Sequence, residues 1–138
     1  MGELIGSYDP KDVRLTFGNL IITGFAPGTF ITAKRADNEI WKSEAGAGGE
    51  VGRTKNNNTI GTITFSLKQT SPSRIDLDNL KNSPAAIPVS VINQSDRRHV
   101  AGGTEAWIKT EPDVEYGDEE SAIEDVIEVA TLQMAATG

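Results

Sequence analysis

The chain has 138 residues, a net charge of −7 and no cysteine. That length suffices to bury one core. The charge excludes nucleic-acid binding through a broad basic face. The missing thiols exclude a disulfide framework or a cysteine-based metal site and fit a reducing compartment. No apolar run approaches the roughly 18 residues of a membrane span, and residues 1–8 carry neither a secretory signal nor a myristoylation pattern. Fourteen glycines, with Val, Ile and Thr in short bursts, point to a β-rich chain with many turns.

Residues 7–11 (SYDPK) read as a turn marked by Asp-Pro. Residues 13–17 alternate as a strand. Gly18 and Asn19 make a two-residue hairpin loop in which both members tolerate positive φ, and 20–23 form the return strand. Residues 24–28 (GFAPG) turn the chain again. Residues 29–35 form a third strand with Phe30 on one face and Thr29 and Ile31 on the other. Residues 36–58 show no period, hold four glycines and end in the asparagine run 56–58. They read as a long irregular loop, and such a loop is functional or disordered in a compact domain. Trp41 and Val51 argue that part of it packs on something.

The most informative stretch is 58–73 (NTIGTITFSLKQTSPS). Gly61, Ile63, Phe65 and Leu67 point one way and Ile60, Thr62, Thr64 and Ser66 the other. The strand runs into a helix start, with Ser71 and Ser73 as candidate caps, Pro72 suited to the first turn, and Asp76 three residues after Ser73. Ile75, Leu77 and Leu80 are its apolar residues, Leu77 and Leu80 giving a narrow buried stripe. Pro84 ends it. Residues 87–92 are a strand, 93–96 a turn, and 97–101 a weak strand ended by a Gly102-Gly103 turn. Residues 104–110 are a strand, and 112–117 lie in an acidic loop. Residues 123–136 could be helical by their Ala and Glu content, but the β-branched residues of 126–134 and the lack of a cap favour a strand.

The result is mainly β, one domain over 1–138. It is a β-sandwich or partly closed β-barrel of about eight strands, with one short flanking helix (about 71–83) and the long irregular loop (about 36–58).

Several phrases together resemble the tail tube proteins of contractile-tailed bacteriophages. They are residues 6–13 (GSYDPKDV), 22–31 (ITGFAPGTFI), 46–53 (GAGGEVGR), 61–73 ending LKQTSPS, Ala106-Trp107 with Pro112-Asp113, and the apolar C-terminal strand. They run through most of the chain. One departure is the unusually acidic link 116–124, where the resemblance leads one to expect a tighter connection.

The resemblance implies a virion structural protein rather than an enzyme, without cofactors. Its partners would be itself, as hexameric rings stacked into a hollow tube, and the sheath, baseplate or tube initiator, tape-measure and terminator proteins. Assembly would occur in the bacterial host cytoplasm, and DNA would cross the lumen of the finished tail without specific binding. Type VI secretion and bacteriocin inner tubes share the implied fold and are the near alternative. A monomeric β-barrel binding a small ligand in its mouth is the alternative from another class, though few aromatics are present to line one.

Physical argument accommodates the tube role. A head-to-tail interface that closes makes a ring, and rings with complementary faces continue into a tube. Segment 36–58, with Asp37, Trp41, Lys42, Glu44, Glu50, Arg53 and Lys55, is the candidate contact between subunits or rings. Thr62, Thr64, Ser66 and Glu128 are candidate lumen-facing residues. Nine acidic residues and no Lys or Arg follow residue 110. An acidic lumen would repel DNA, which carries a charge about every 1.7 Å.

Other chemistry is set aside. His99 has no second ligand at metal spacing. Glu119-Glu120 and Glu124-Asp125 read as solvated rather than as an acid–base pair. Gly46–Gly49 lacks the Gly-Lys-Ser/Thr of a phosphate loop, and the sequons at Asn57 and Asn93 occur without a secretion signal. Ser71 and Ser73 have no base in reach.

Overall fold

The computed structural model describes residues 10–28, 30–83, 85–93 and 98–137, and of residues 98, 99, 136 and 137 the backbone. Among them ten strands and one α-helix follow in order: β1 (Val13–Phe17), β2 (Leu20–Ile22), β3 (Ile31–Arg35), β4 (Trp41–Ala45), β5 (Val51–Lys55), β6 (Gly61–Lys68), α1 (Ser73–Leu80), β7 (Ile87–Asn93), β8 (Arg98–Ile108), β9 (Ala122–Val129) and β10 (Gln133–Thr137). The expected turn at 7–9, Thr29, the stop at Pro84, the turn at 94–96, Arg97 and the His99 side chain lie outside the described residues.

Alternation gives the sheet a dry side and a wet one. In β6, Gly61, Ile63, Phe65 and Leu67 are buried, whereas Thr62, Thr64 and Ser66 are half-exposed. β9 repeats the pattern beside it, with Ile123, Asp125, Ile127 and Val129 inward. The sheet order is β2-β1-β7-β8-β9-β6-β3 with β10 also on β8, and every pairing is antiparallel. Leu15, Phe17, Ile22, Ile63, Phe65, Leu67, Val89, Ala106, Ile127 and Val129 meet in one cluster, to which the helix adds Leu77. One sheet therefore wraps around one core. It does not close into a barrel. The segment after β2 reaches the free end of β6 through the isolated bridge Phe25–Leu67, with Gly24 accepting from the Lys68 N–H and Ala26 donating to Ser66 O.

The β1–β2 hairpin turns on Gly18, whose φ is +64 and whose N–H donates to Pro88 O. Asn19 keeps negative φ, so only the first loop residue uses the freedom expected of both.

The structure corrects four expectations about secondary-structure elements. Segment 36–58 is no irregular loop: it holds the β4–β5 hairpin, a separate two-stranded sheet. Both faces of that hairpin are wet, so no hydrophobic period marks it. Gly102-Gly103 is no turn but the middle of β8. A Cβ at Gly102 would collide with Val89 O, and one at Gly103 with Thr131 O and the Val129 side chain. The β7–β8 register slips between Ile87 and Val89, where Pro88 has no N–H to give. The strand expected over 123–136 is split, β9 ending at Val129 and β10 starting at Gln133, so that β9 pairs with Ala106–Ile108 of β8 and β10 with Arg98–Gly102.

The fourth correction concerns α1, which spans only Ser73–Leu80, with Pro72 at its N-cap and no side-chain capping bond. Ser71 Oγ donates to Thr23 O at 2.5 Å, and the Thr23 N–H donates to Ser73 Oγ at 3.0 Å. The two hydroxyls therefore fasten the helix entrance to the end of β2. Ile75 lies outside the buried stripe, 72% exposed.

A buried ion pair ties the helix to the sheet. The reading of Glu124-Asp125 as solvated fails for Asp125, which points inward from β9 and accepts from Arg74 of α1. Burial raises the Asp125 carboxyl, and Arg74 offsets that rise. The Asp125 side chain is 4% exposed and that of Arg74 17%, so the guanidinium has the easier route to water.

Three outcomes follow. Arg74→Met, which strands a buried carboxylate, lowers unfolding free energy by about 3 kcal/mol or more, and Asp125→Asn lowers it by less; urea melts check both. The native carboxyl titrates above its unfolded value, so its contribution is full below the ordinary carboxylate range and is lost as pH rises through the native value. Arg74→Met moves that loss to higher pH in a melting-temperature profile. Gly102→Ala costs about 1–3 kcal/mol by overpacking, whereas Gly52→Ala, with open space around its Cβ, stays within about 0.5 kcal/mol of the parent.

Candidate functional site

The β4–β5 hairpin leaves the sheet between Arg35 and Gly61, and all its strand residues are exposed. Directly paired residues share a face, and the faces alternate along the strand. Trp41 with Lys55, Ser43 with Arg53 and Ala45 with Val51 make one face; Lys42 with Thr54 and Glu44 with Gly52 make the other. The first face is apolar and cationic. The Arg53 guanidinium lies 4.2 Å over the Trp41 ring, a cation–π contact that orders both side chains. Trp41 and Val51 remain 44% and 73% exposed.

Polar groups brace the foot of the hairpin. Asp37 Oδ1 accepts the Glu39 N–H at 3.1 Å, and Lys42 stands 3.8 Å from Asp37. The Asp37 carboxyl is held below its usual range, first by that N–H and then by Asn56. Asn56 donates through its side chain to Glu39 O at 2.7 Å and through its backbone to Ile40 O at 2.8 Å. Arg35 donates to Asn58 O at 2.6 Å. At the tip the Gly46 N–H donates to Glu50 O and the Gly49 N–H to Gly46 O. The structure thus gathers Asp37, Trp41, Lys42, Glu44, Glu50, Arg53 and Lys55 on one projecting finger and its foot.

Thr62, Thr64, Ser66 and Glu128 are brought together on the face of the sheet opposite the core, Thr62 directly opposite Glu128 and Thr64 opposite Val126. Sequence reasoning missed their neighbours. Trp107 Nε1 donates to Glu128 Oε2 at 3.2 Å, Lys109 lies 3.9 Å from Glu128 Oε1, and Lys34 stands opposite Thr62. Only the pairing of β8 with β9 and of β3 with β6 places these cations there. Glu128 is thus partly compensated, and the face mixes hydroxyls with both signs of charge.

The acids concentrate instead in the connection from β8 to β9, which is fastened at several points. Glu120 accepts from the Thr70 N–H and hydroxyl, each at 2.8 Å, and these hold its carboxyl below the usual range. Gln69 donates to Glu115 O at 2.6 Å, and Lys81 reaches Glu111 at 2.9 Å. A cleft of about 720 Å³ separates α1 from the β1–β2 loop, with Phe17, Leu20, Leu80 and Ile87 on its walls. It lies beside the sheet, not in a barrel mouth. Among the described residues no group of three His, Asp or Glu side chains could hold a metal ion, and no helix is long and apolar enough to cross a membrane.

No protein-family description matches the sequence, and no curated protein matches it. Solved structures do match its fold. The chain is similar to the tube-terminating cap of the anti-feeding prophage, with TM-score 0.67 at 11% identity, over 99% of this chain and 96% of that one. It is similar to a chain of the extended sheath–tube complex of the extracellular contractile injection system PVC, with TM-score 0.61 at 10% identity over 95% and 93%. It is also similar to a chain of the PVC sheath/tube terminator in the extended state, with TM-score 0.61 at 9% identity over 94% and 96%. The fold is therefore one also found in contractile injection systems.

The hairpin contributes nothing to the core cluster. Deleting residues 44–50 is therefore expected to change unfolding free energy by less than about 0.5 kcal/mol, as read by chemical denaturation of the variant and the parent.

Proposed function

We propose that this protein is a structural subunit of the tube of a contractile tail, one that assembles with copies of itself into hexameric rings and stacks them into a hollow conduit inside a sheath. The observation that carries the reading is the fold likeness along almost the whole of both chains to a tube-terminating cap, at TM-score 0.67. The projecting hairpin supports it. An isolated two-stranded hairpin is marginal in water, and this one exposes Trp41 and Val51, so a partner surface is the natural place for them. β2 and β3, at the two ends of the open sheet, offer backbone groups that a neighbouring subunit would complete. The hydroxyl-bearing face of Thr62, Thr64 and Ser66, with Glu128, would line the channel through which the genome passes, holding DNA weakly. In this reading the protein is a virion component and not an enzyme. An inner tube of a secretion or bacteriocin system would use the same surfaces.

A second reading has its own support: two of the similar structures are a tube-terminating cap and a sheath/tube terminator. A terminator would form one ring and stop.

Negative-stain electron microscopy of the concentrated protein separates the readings. Hollow tubes are expected for the tube subunit and single rings for a terminator. A monomer at every concentration, also when incubated with tail baseplates, would remove both. Deleting residues 44–50 is expected to abolish stacking; tubes of full length from that variant would remove the hairpin from the contact.

A further inference from the structure

The hairpin and the acidic connection lie at opposite ends of the same strands. The hairpin sits where β3 ends at Arg35 and β6 begins at Gly61, and Gly61 pairs with Val129. The acidic connection enters β9 at Ala122, which pairs with Lys68 at the far end of β6. Eight residues of β6 separate the two ends by about 25 Å. At the far end a groove of about 520 Å³ is lined by Glu111, Asp113, Glu115 and Glu124 together with the apolar Ala122 and Val126. Among the described residues no lysine or arginine lines it. Glu111 is shared with Lys81, while Asp113, Glu115 and Glu124 make no ion pair among the described residues. Arg53 and Lys55 on the hairpin make none either.

We propose that this groove is the socket for the hairpin of a second copy: the Trp41–Arg53–Lys55 face of one subunit enters the Asp113–Glu115–Glu124 groove of the next. The separation excludes the contact within one chain. A copy displaced along the strands brings finger and groove together, and the joint repeats because it is heterologous. Charge supplies the register: two cations meet three carboxylates that pair with no described cation, while Trp41 and Val51 cover the apolar floor. Glu124 and Val126 stand beside Ser66 and Thr64 on the outer face, so the seated hairpin covers that end of the face and leaves the end with Thr62 and Glu128 open to the channel. The proposal rests on the tube reading for the direction of stacking, and it names the receiving surface.

The chain has no cysteine, so single thiols report the contact. Ser43→Cys places one on the cationic face opposite Arg53, and Ala122→Cys places one in the exposed groove floor. The two full-length variants are mixed in equal amounts and mildly oxidised. The mixed 43–122 dimer is expected to exceed either homodimer by about tenfold at low salt. At 1 M salt, where screening acts within about 3 Å, it should fall toward the statistical ratio. Arg53→Glu with Lys55→Glu in the Ser43→Cys chain should abolish the excess, and Asp113→Lys with Glu115→Lys in the Ala122→Cys chain should restore it. A statistical mixture from the first pair, or an excess indifferent to charge reversal, overturns the socket. Microscopy of the unmodified chain keeps the two ideas apart. A selective mixed dimer without rings or tubes leaves the socket and removes the tube reading, and tubes with a statistical mixture do the reverse.

Discussion

A Cβ at Gly102 or Gly103 would press on a neighbouring backbone, and its absence lets one strand serve three neighbours. β8 gives one edge to β7 and divides the other between β10 and β9. At the division the backbones of Val89 and Thr131 come too close for any Cβ. β9 meets the end of β8 over Ile127–Val129 on one edge and pairs with β6 along all of Gly61–Lys68 on the other. Leu132, in the crossing between β9 and β10, then packs where Gly61 leaves it room. The joined β3–β6–β9 ladder follows from that arrangement. So do the outer row of Trp107, Glu128, Thr62 and Lys34 and the placing of finger and groove at opposite ends.

Where burial is one-sided, the residues announced the structure. The alternation from Gly61 to Leu67 and the Gly18 turn translate directly into β6 and the first hairpin. The mainly β class and the single short helix were likewise legible. Illegible parts fall where the local signal is shared by two outcomes. Gly-Gly usually marks a turn, and here it marks a close crossing. A polar, glycine-rich stretch usually marks a loop, and here it is a hairpin whose two wet faces erase any period. The Arg74–Asp125 pair spans 51 residues, so only the folded sheet brings it together. The seven finger residues were legible as a segment because they are contiguous. Trp107, Lys109 and Lys34 were not, since only strand pairing sets them beside Glu128 and Thr62.

Charge is arranged by place rather than by total. The net value of −7 suggests a uniformly acidic surface, yet the outer face of the sheet sets Lys34 and Lys109 among Thr62, Thr64 and Glu128. The acids gather in the connection to β9, which Thr70, Gln69 and Lys81 hold down. A surface so pinned loses little conformational freedom when a partner arrives. That distinguishes it from a solvated acidic tail.

The β3–β6–β9 ladder has a mechanical consequence. The hairpin is rooted at one end of these strands and the acidic connection at the other, so a pull between the two runs parallel to the strands. Their interstrand hydrogen bonds stand across that direction and would be loaded together in shear. A pull across the sheet would open them one after another. A subunit built this way resists stretching along one axis and yields along another.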